Sequence, residues 1–302
     1  MNEIVTLPPR GPGVYPDISI DVYHGDTTTI SKSGLDNINQ CPAIYYARHL
    51  DPNRPPPPDR GGQLEGSLAH CATLEPLEFE KRYAVPPGDA PRRPTDLQRN
   101  AKKPSEATLE AIAWWDLWLA QSNGLKPITR AQADTAWRQA ASIHALPEIS
   151  DALKNGQAEV SVYWQDPTTG VACRSRPDYV HQLANDSVIL LDVKTYTTAD
   201  PDDFARQLAR KRYHVQAAFY KDGYEHATGK QVAGFVFVAV ATEYPYLSCS
   251  FVLDDDGMQS GRRGYQRNLE TYANCLKLGT WPGYSEEIVI LTLPRWAANL
   301  DD

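Results

Sequence analysis

Two carboxylates and a lysine occur in neighbouring strand-like stretches, and these residue types support cleavage of phosphodiester bonds. The stretch 187–195, SVILLDVKT, ends an apolar run with Asp192 and Lys194. A strand alternates its faces, so these two side chains share one face, about 7 Å apart along the strand. Asp178 lies upstream in CRSRPDYV, which gives the pattern P-D-x13-D-x-K. Carboxylates ligate hard divalent cations and an ammonium assists an attacking water, so the pattern predicts metal-dependent cleavage. The alternative is a solvated ion pair at a strand end.

Two arginines precede Asp178 at alternate positions, so the three side chains share one face of a predicted strand. Arginine binds phosphate with two parallel hydrogen bonds. Arg174 and Arg176 therefore predict a track that guides a nucleic-acid backbone toward the metal. The alternative is a ladder of salt bridges that these arginines form with Glu159 and its neighbours.

Three further residues are uninformative when each is taken alone. His70 lies on a predicted helix in GSLAHCATLEP, and a lone helical histidine is more often structural than a metal ligand. Gln216 and Tyr220 are four residues apart on a later predicted helix, so they project from the same face. Their meaning depends on the residues that accompany them.

Composition excludes some classes of protein. The chain has 302 residues and a formal charge of −8, which argues against a protein that coats nucleic acid over its whole surface but is compatible with a local basic groove. No apolar run is long enough to cross a bilayer, and the N-terminus lacks the pattern of a signal peptide, so we expect a cytoplasmic protein without membrane contact. The five scattered cysteines form no C-x-x-C pair, which predicts buried reduced thiols.

The pattern along the chain predicts one domain. Residues 1–22 are predicted to be an N-terminal tail, 23–157 a mainly helical part, and 158–302 the core with the C-terminal elements. Residues 86–105 contain five basic side chains and few apolar ones, so we expect a mobile loop that is too polar to pack.

Helices and strands are predicted to alternate in the second half of the chain. Three strands, a helix, two strands and a final helix near 258–278 follow the N-terminal helices, with the turn sequence DPTTG between the first two strands. This order predicts an α/β fold with a central mixed sheet flanked by helices. The tryptophans of the helix containing WWDLWLA have the spacing of an apolar helix face, which favours core packing over stacking on bases.

The motifs occur in a fixed order along the chain: G-x-x-x-H at Gly66 to His70, Glu159, Asp178, Asp192-x-Lys194 and Gln216-x-x-x-Tyr220. This constellation resembles the RecB-like branch of the PD-(D/E)xK nuclease superfamily. The stretches YHGDTTTISKSGLDNI, GSLAHCATLEPLEF, SVYWQDPTTGVACRSRPD, DVKT and RYHVQAAFYKDGY further resemble the C-terminal nuclease domain of the RecE (exonuclease VIII) family. The resemblance extends from about Tyr23 to Trp296.

The resemblance implies a Mg²⁺-dependent exonuclease that digests linear double-stranded DNA from its 5′ ends and leaves a 3′ single strand for a RecT-type annealing protein. It also implies roles for individual residues. His70, Asp178, Asp192 and the carbonyl of Val193 would ligate the metal, and Lys194 would orient or activate the attacking water. Gln216 and Tyr220 would lie near the site and the DNA, with Glu159, Arg174 and Arg176 as supporting or DNA-binding residues. The histidine ligand makes Mn²⁺ a suitable substitute.

The resemblance implies a homo-oligomer as well, with subunits in a closed tetrameric ring around the duplex. The chain would be the nuclease module alone, as in a version encoded by a phage or prophage of a bacterial host. One alternative is a helicase-linked or Cas4-like nuclease, but Cys249 and Cys275 are too far apart for the cysteine motif of an iron–sulfur cluster there. A second alternative is a catalytically dead DNA-binding scaffold, against which the intact Asp178, Asp192 and Lys194 set argues.

Overall fold

The structure is a computed structural model that describes residues 11–55 and 62–294. The first ten residues of the predicted tail and the last eight residues of the predicted core lie outside the described residues. The helices are α1 (Ile20–Gly25), α2 (Lys32–Gln40), α3 (Pro42–Tyr45), α4 (Gln63–Leu74), α5 (Phe79–Arg82), α6 (Asp96–Arg99), α7 (Glu106–Gln121), α8 (Arg130–His144), α9 (Pro147–Ala152), α10 (Pro201–Arg210), α11 (Tyr213–Thr228) and α12 (Asp255–Leu278). The strands are β1 (Gly13–Tyr15), β2 (Tyr83–Ala84), β3 (Lys126–Pro127), β4 (Gly156–Ala158), β5 (Ser161–Gln165), β6 (Ala172–Ser175), β7 (Tyr179–Gln182), β8 (Val188–Tyr196), β9 (Val232–Ala241) and β10 (Ser248–Val252).

A mixed five-stranded sheet forms the centre of the molecule, with strand order β10-β9-β8-β7-β4. Strands β8 and β9 are parallel because α10 and α11 provide the crossover between them, and the other neighbours in this sheet are antiparallel. A second, antiparallel sheet has the order β1-β5-β6. The predicted α/β fold with a mixed central sheet flanked by helices is confirmed.

Strand β8 is buried on both faces, and its alternation assigns each side chain to one helical layer. Val188 and Leu190 pack in one apolar cluster with residues of α11. Leu191 and Val193 pack in another cluster with Ile143 of α8 and its neighbours. Asp192 and Lys194 continue the first face, so they point toward α11, as the period of two predicts.

Side-chain caps fix where two of the predicted helices begin. Ser31 accepts a hydrogen bond from the backbone of Gly34 at the start of α2. Thr129 and Gln132 form a capping box at the start of α8. Both helices therefore begin at residues that satisfy backbone N–H groups locally.

Two predictions about the organisation of the chain differ from the structure. Part of the predicted tail forms β1, which pairs with β5 and so belongs to the second sheet. A single strand was predicted before the DPTTG turn, but β4 and β5 lie in different sheets and the chain turns between them at Glu159. Neither feature has a local sequence signal, because strand pairing depends on distant partners.

Part of the segment 86–105 contacts α7 and α8, which corrects the prediction that the segment is too polar to pack, although most of its side chains are exposed. The indole N–H of Trp115 donates to the carbonyl of Pro91 at 2.9 Å, and Arg130 donates to the carbonyl of Pro86 at 3.1 Å. The segment also contains α6, whose Arg99 pairs with Asp116. Two of these contacts are made by backbone carbonyls of prolines and one by a charged side chain, whereas the prediction considered only the polarity of the segment. Ordering by DNA stays a prediction.

The composition-based expectations concern membranes and cysteines. Within the two described ranges, no helix combines the length and the apolar character needed to cross a bilayer. All five cysteines are unpaired thiols, four of them buried and Cys249 half-buried.

Helix α12 packs closely against α11, the helix that carries Gln216 toward the sheet. This close packing allows a prediction about stability. A Cβ atom at Gly261 would lie 2.0 Å from the backbone carbonyl oxygen of His214. Alanine gains about 1 kcal/mol of helix propensity, but overpacking against a backbone atom costs about 1–3 kcal/mol or more. We expect Gly261→Ala to lower the free energy of unfolding, measured by urea denaturation.

Gly234→Ala is the matched control. The added Cβ at Gly234 meets no described atom within 4 Å and its φ is ordinary. We expect this variant to unfold at the wild-type urea concentration or slightly above it. Equal stability of the Gly261→Ala and Gly234→Ala proteins would contradict the packing argument.

Candidate active site

The end of β8 is the backbone around which the site is built. Strand β7 pairs with β8 only as far as Tyr179 opposite Leu191, so the next backbone groups on that edge are not used by the sheet. The N–H of Val193 donates to Oδ2 of Asp178 at 2.7 Å, and its carbonyl oxygen lies 2.8 Å from Nε2 of His70. Side chains therefore complete the hydrogen bonding that β7 leaves open.

Helix α4 carries His70 to this edge. Gly66, one turn earlier on the same face, lies close to β8, since an added Cβ there would be 3.5 Å from Oγ1 of Thr195. Nδ1 of His70 lies 3.5 Å from Oδ2 of Asp178. The spacing of glycine and histidine in G-x-x-x-H thus places both residues on the face of α4 that meets the strand, where the imidazole reaches the carboxylate.

Glu159 was predicted as a supporting or DNA-binding residue, but it lies in the cluster of possible metal ligands. Its backbone has φ of 56°, a left-handed conformation that costs a non-glycine residue about 1–3 kcal/mol, and its N–H donates to the carbonyl of Asp178 at 3.0 Å. One ligand atom from each of Glu159, His70 and Asp178 lies within 4.8 Å of the other two. The available signal was an acidic residue between apolar ones in AEVSV, just before the P-D motif.

Asp192 is 1% exposed and is held by two side chains. Nε2 of Gln216 donates to its Oδ1 at 2.5 Å, and the ammonium of Lys194 forms an ion pair with its Oδ2. The structure thus brings together Asp192, Lys194 and Gln216, as the motif order implied. Asp192 is not a member of the cluster of His70, Glu159 and Asp178, and its role as a metal ligand stays a prediction.

The buried charges of the site shift each other's pKa. Burial raises the pKa of Asp178 to about 7, and the negative charge of Asp192 adds to this rise. Burial alone would lower the pKa of Lys194, but the charges of Asp192 and Asp178 outweigh it and the net shift is upward. Lys194 is therefore a cation at neutral pH, whereas the charged form of Asp178 is unfavourable without a further positive partner.

Tyr213 is a site residue that sequence reasoning missed. The Nζ atom of Lys194 lies 4.7 Å from the centre of its ring, and Nζ of Lys32 lies 5.8 Å from it. The ring stacks on Phe237, with centroids 5.7 Å apart, so its position is fixed. A signal was present, because Tyr213 precedes Gln216 by three residues and so shares its helix face. The aromatic face attracts the ammonium and restricts its position.

The predicted phosphate track is not supported for Arg174. Its side chain is buried, and it donates to the backbone carbonyls of Asp26 and Thr29 at 2.7 Å and 2.6 Å. Arg176 donates to Glu159 at 2.9 Å and to Ser161 at 2.7 Å. The contact with Glu159 is the internal salt bridge that was the alternative to a phosphate track. These arginines hold the second sheet and Glu159 in place, and burial makes Arg174 inaccessible to DNA.

Tyr220 lies one turn after Gln216, beneath the site. Burial raises its pKa well above the usual range, and the nearby negative charges of Asp192 and Asp178 contribute to the shift. Its ring also lies edge-on to Phe235, with centroids 6.2 Å apart. The structure therefore places Tyr220 as a half-buried support, and its predicted DNA contact stays a prediction.

Comparison with known proteins identifies the family. The family model described as a PDDEXK-like domain of unknown function (DUF3799) matches residues 31–294. The chain belongs to this family. A search of curated proteins found no match.

One solved structure shares the fold of this PDDEXK-like domain at low sequence identity. A protein from Eubacterium rectale described as a "putative exonuclease" has a TM-score of 0.57 and 14% identity, over 94% of this chain and 98% of that one. An alkaline exonuclease from Laribacter hongkongensis is 15% identical over 61% of this chain and 90% of its own, with a TM-score of 0.27. A TM-score this low supports no further argument. The first likeness shows the fold, and the family match together with the clustered residues supports a nuclease.

The donor set fits a hard divalent cation. His70, Glu159 and Asp178 offer one nitrogen and two carboxylates within 4.8 Å of one another, and the carbonyl of Val193 lies at the same place. Oxygen ligands suit Mg²⁺, and the imidazole also suits Mn²⁺. The raised pKa of Asp178 means that its negative charge is unfavourable in the metal-free protein, and a bound cation would stabilise that charge.

This electrostatic cost predicts that Asp178→Asn stabilises the metal-free protein. The pKa is higher in the folded state than in the unfolded state, so the charged form destabilises the fold fully above pH 7 and not below about pH 4. In EDTA at pH 8 we expect the variant to gain on the order of 1–3 kcal/mol, and the gain should vanish as the pH approaches 4. Thermal denaturation across this pH range measures it.

Added metal should make the wild type more stable than Asp178→Asn, the reverse of the order expected in EDTA. Saturating Mg²⁺ or Mn²⁺ at about 100 times its Kd should stabilise the wild type by about 2.7 kcal/mol and Asp178→Asn much less. Asp134→Asn, an exposed change on α8, is the control and should behave like the wild type in both conditions. A variant that loses stability in EDTA and still responds fully to metal would contradict the assignment of Asp178.

Proposed function

We propose that this PDDEXK-like domain is a Mg²⁺-dependent exodeoxyribonuclease that digests linear double-stranded DNA in the 5′ to 3′ direction and leaves a 3′ single strand. The observation that carries the proposal is the convergence of His70, Glu159 and Asp178 within 4.8 Å beside the ion pair of Asp192 and Lys194. The family and the fold support nuclease chemistry. The polarity and the duplex substrate rest on the resemblance to RecE-type nucleases.

The proposed cation site consists of His70, Asp178, Asp192 and the carbonyl of Val193, with Glu159 within reach. When bound, Mg²⁺ supplies positive charge to the scissile phosphate and lowers the pKa of a water. The neighbouring side chains define the positions of these ligands. Gln216 fixes one oxygen of Asp192, and Arg176 fixes one oxygen of Glu159.

Lys194 is the proposed catalytic cation. Its ammonium is positively charged at neutral pH because the two aspartates raise its pKa, so it attracts the developing hydroxide and orients the attacking water. The ring of Tyr213 limits where the ammonium can move, since its centre lies 4.7 Å from Nζ. Lys194 therefore supplies positive charge from a position that Asp192 and Tyr213 restrict.

The proposed partners are double-stranded DNA ends, a RecT-type single-strand annealing protein and further copies of this chain in a tetrameric ring, in the bacterial cytoplasm. A described surface supports self-association. The segment 288–293 exposes large apolar side chains, with Ile288 100% and Ile290 93% accessible. Soluble proteins cover such patches through contacts with other molecules, and homo-oligomers commonly close into rings.

Two substitutions test the assignment of the catalytic residues. We expect Lys194→Ala to reduce the cleavage rate at least about a hundredfold while metal binding is kept, since it removes charge from the transition state only. Asp192→Asn should reduce both cleavage and metal affinity. Metal titration by calorimetry and digestion of a linear duplex separate the two effects. Lys277→Ala, an exposed change on α12, is the control.

The same assay tests the substrate and the polarity. Duplexes labelled at one 5′ or one 3′ end should lose the 5′ label first and keep the 3′ strand, and closed circular DNA should resist. Release from the 3′ end would overturn the proposed direction. Wild-type rates in both Lys194→Ala and Asp192→Asn would overturn the site itself.

Two measurements test the proposed ring: the molecular mass of the protein in solution, and whether one protein assembly stays on the DNA molecule that it has begun to digest. We expect light scattering to give a tetramer, and digestion to continue on the original duplex after excess unlabelled duplex is added. Retention by enclosure predicts this result because a chain of charge −8 holds DNA weakly at physiological salt. A monomeric mass with immediate arrest of digestion would contradict the ring.

A further inference from the structure

A cavity of about 500 Å³ lies apart from the cluster of acidic residues, between the 86–91 segment and the start of α8. Its walls include Pro86, Pro91 and Trp115 on one side and Leu64 and Arg130 on the other. This volume lies within the range of sites that bind small molecules, about 300–1,000 Å³. The proposed nuclease mechanism does not use this cavity.

The cavity is positively charged within an acidic protein. Among the described residues that line it, Arg93 and Arg130 are the charged ones, and none is a carboxylate. Arg130 donates one hydrogen bond to the carbonyl of Pro86, and a guanidinium has five N–H donors. With a chain charge of −8, this local excess of positive charge selects an anionic ligand.

The remaining wall is apolar. Trp115 is 6% exposed and is fixed by its hydrogen bond to Pro91, and the guanidinium of Arg93 lies over its ring, 5.5 Å from the centre. The indole is therefore covered and supports the wall from behind. The surface that a base can reach consists of Leu64, Pro87 and Pro91, next to the donors of Arg93 and Arg130.

The position of the cavity relates it to the acidic cluster. Leu64 lines the cavity and His70 lies six residues further along α4, which corresponds to about 9 Å along the helix axis. A DNA strand whose phosphate is at His70 would therefore have a neighbouring nucleotide within reach of the cavity.

We infer that this cavity binds a nucleotide of single-stranded DNA, with its phosphate on Arg93 and Arg130 and its base against the apolar wall of Leu64, Pro87 and Pro91. The inference rests on the proposed function. Two sources offer the same chemistry of a base with a phosphate: a nucleotide within a strand, and a released nucleoside monophosphate.

Two adjacent arginines give a matched test. Arg93 lines the cavity, whereas Arg92 is exposed in the same segment and does not. We expect Arg93→Ala to raise the Kd of a fluorescent single-stranded oligonucleotide about fivefold and to reduce the salt dependence of log Kd by about 0.7, one phosphate contact. Arg93→Glu should raise the Kd further. Fluorescence anisotropy with the full chain in EDTA measures binding without cleavage.

Arg92→Ala and Arg92→Glu are the controls and should keep the wild-type Kd and salt dependence. Thermal denaturation checks that all four variants fold. Equal effects at both positions would overturn the inference, because they would report the charge of the segment and not the cavity. An abasic oligonucleotide that binds the wild type as tightly as a normal one would overturn the base contact.

Two further measurements complete the test. One distinguishes a nucleotide within a strand from a released monophosphate, and the other separates failure of the inference from failure of the proposed function. Competition by deoxynucleoside monophosphate that depends on Arg93 supports a product site, whereas an Arg93 effect on the oligonucleotide alone supports a strand site. No effect in either arm overturns the inference. Failure of the wild type to cleave DNA with Mg²⁺, while the Arg93 effect on binding persists, would reject the proposed function and keep the cavity as a strand-binding site.

Discussion

The burial of two aspartates beside one lysine is the constraint on which the site depends. Asp192 is almost inaccessible, and burial together with its charge raises the pKa of Asp178. Buried charges are stable only when each has a partner. Lys194 pairs with Asp192, whereas Asp178 relies on a backbone N–H and on the imidazole of His70. The arrangement is electrostatically incomplete without a further positive charge, which is the condition for tight cation binding.

Helical layers cover both faces of β8, and this arrangement positions the charged groups of the site. Its side chains alternate between α11 and the α8 layer, so Asp192 and Lys194 meet Gln216 and Tyr213 on one side. The backbone of Val193 contributes from the strand edge, where β7 has ended and α4 can deliver His70. A strand exposed on one face would hydrate the aspartates and weaken their electrostatic interactions. Helices on both faces therefore keep the charges buried and close together.

Local patterns predicted the parts of this arrangement that depend on periodicity. The shared face of Asp192 and Lys194 follows from the period of two, and the mixed sheet follows from the order of the elements. Three features escaped because distant residues determine them: the left-handed backbone of Glu159, the burial of Arg174 against carbonyls of Asp26 and Thr29, and the packing of 86–105 on Trp115. A sequence shows that an arginine is charged, but only the fold shows which acceptors are within its reach.

The use of arginines inside the protein limits how DNA can be held. Arg174 and Arg176 stabilise the second sheet and the position of Glu159, and the burial of Arg174 makes its charge unavailable to phosphates. The chain is acidic overall, so its long-range field does not attract DNA. Under the proposed function, favourable contacts would have to be short-range and concentrated near the site, around Lys194 and the proposed cation. The cavity that contains Arg93 and Arg130 would then extend such contacts along a strand, because its apolar wall adds contacts that salt does not screen.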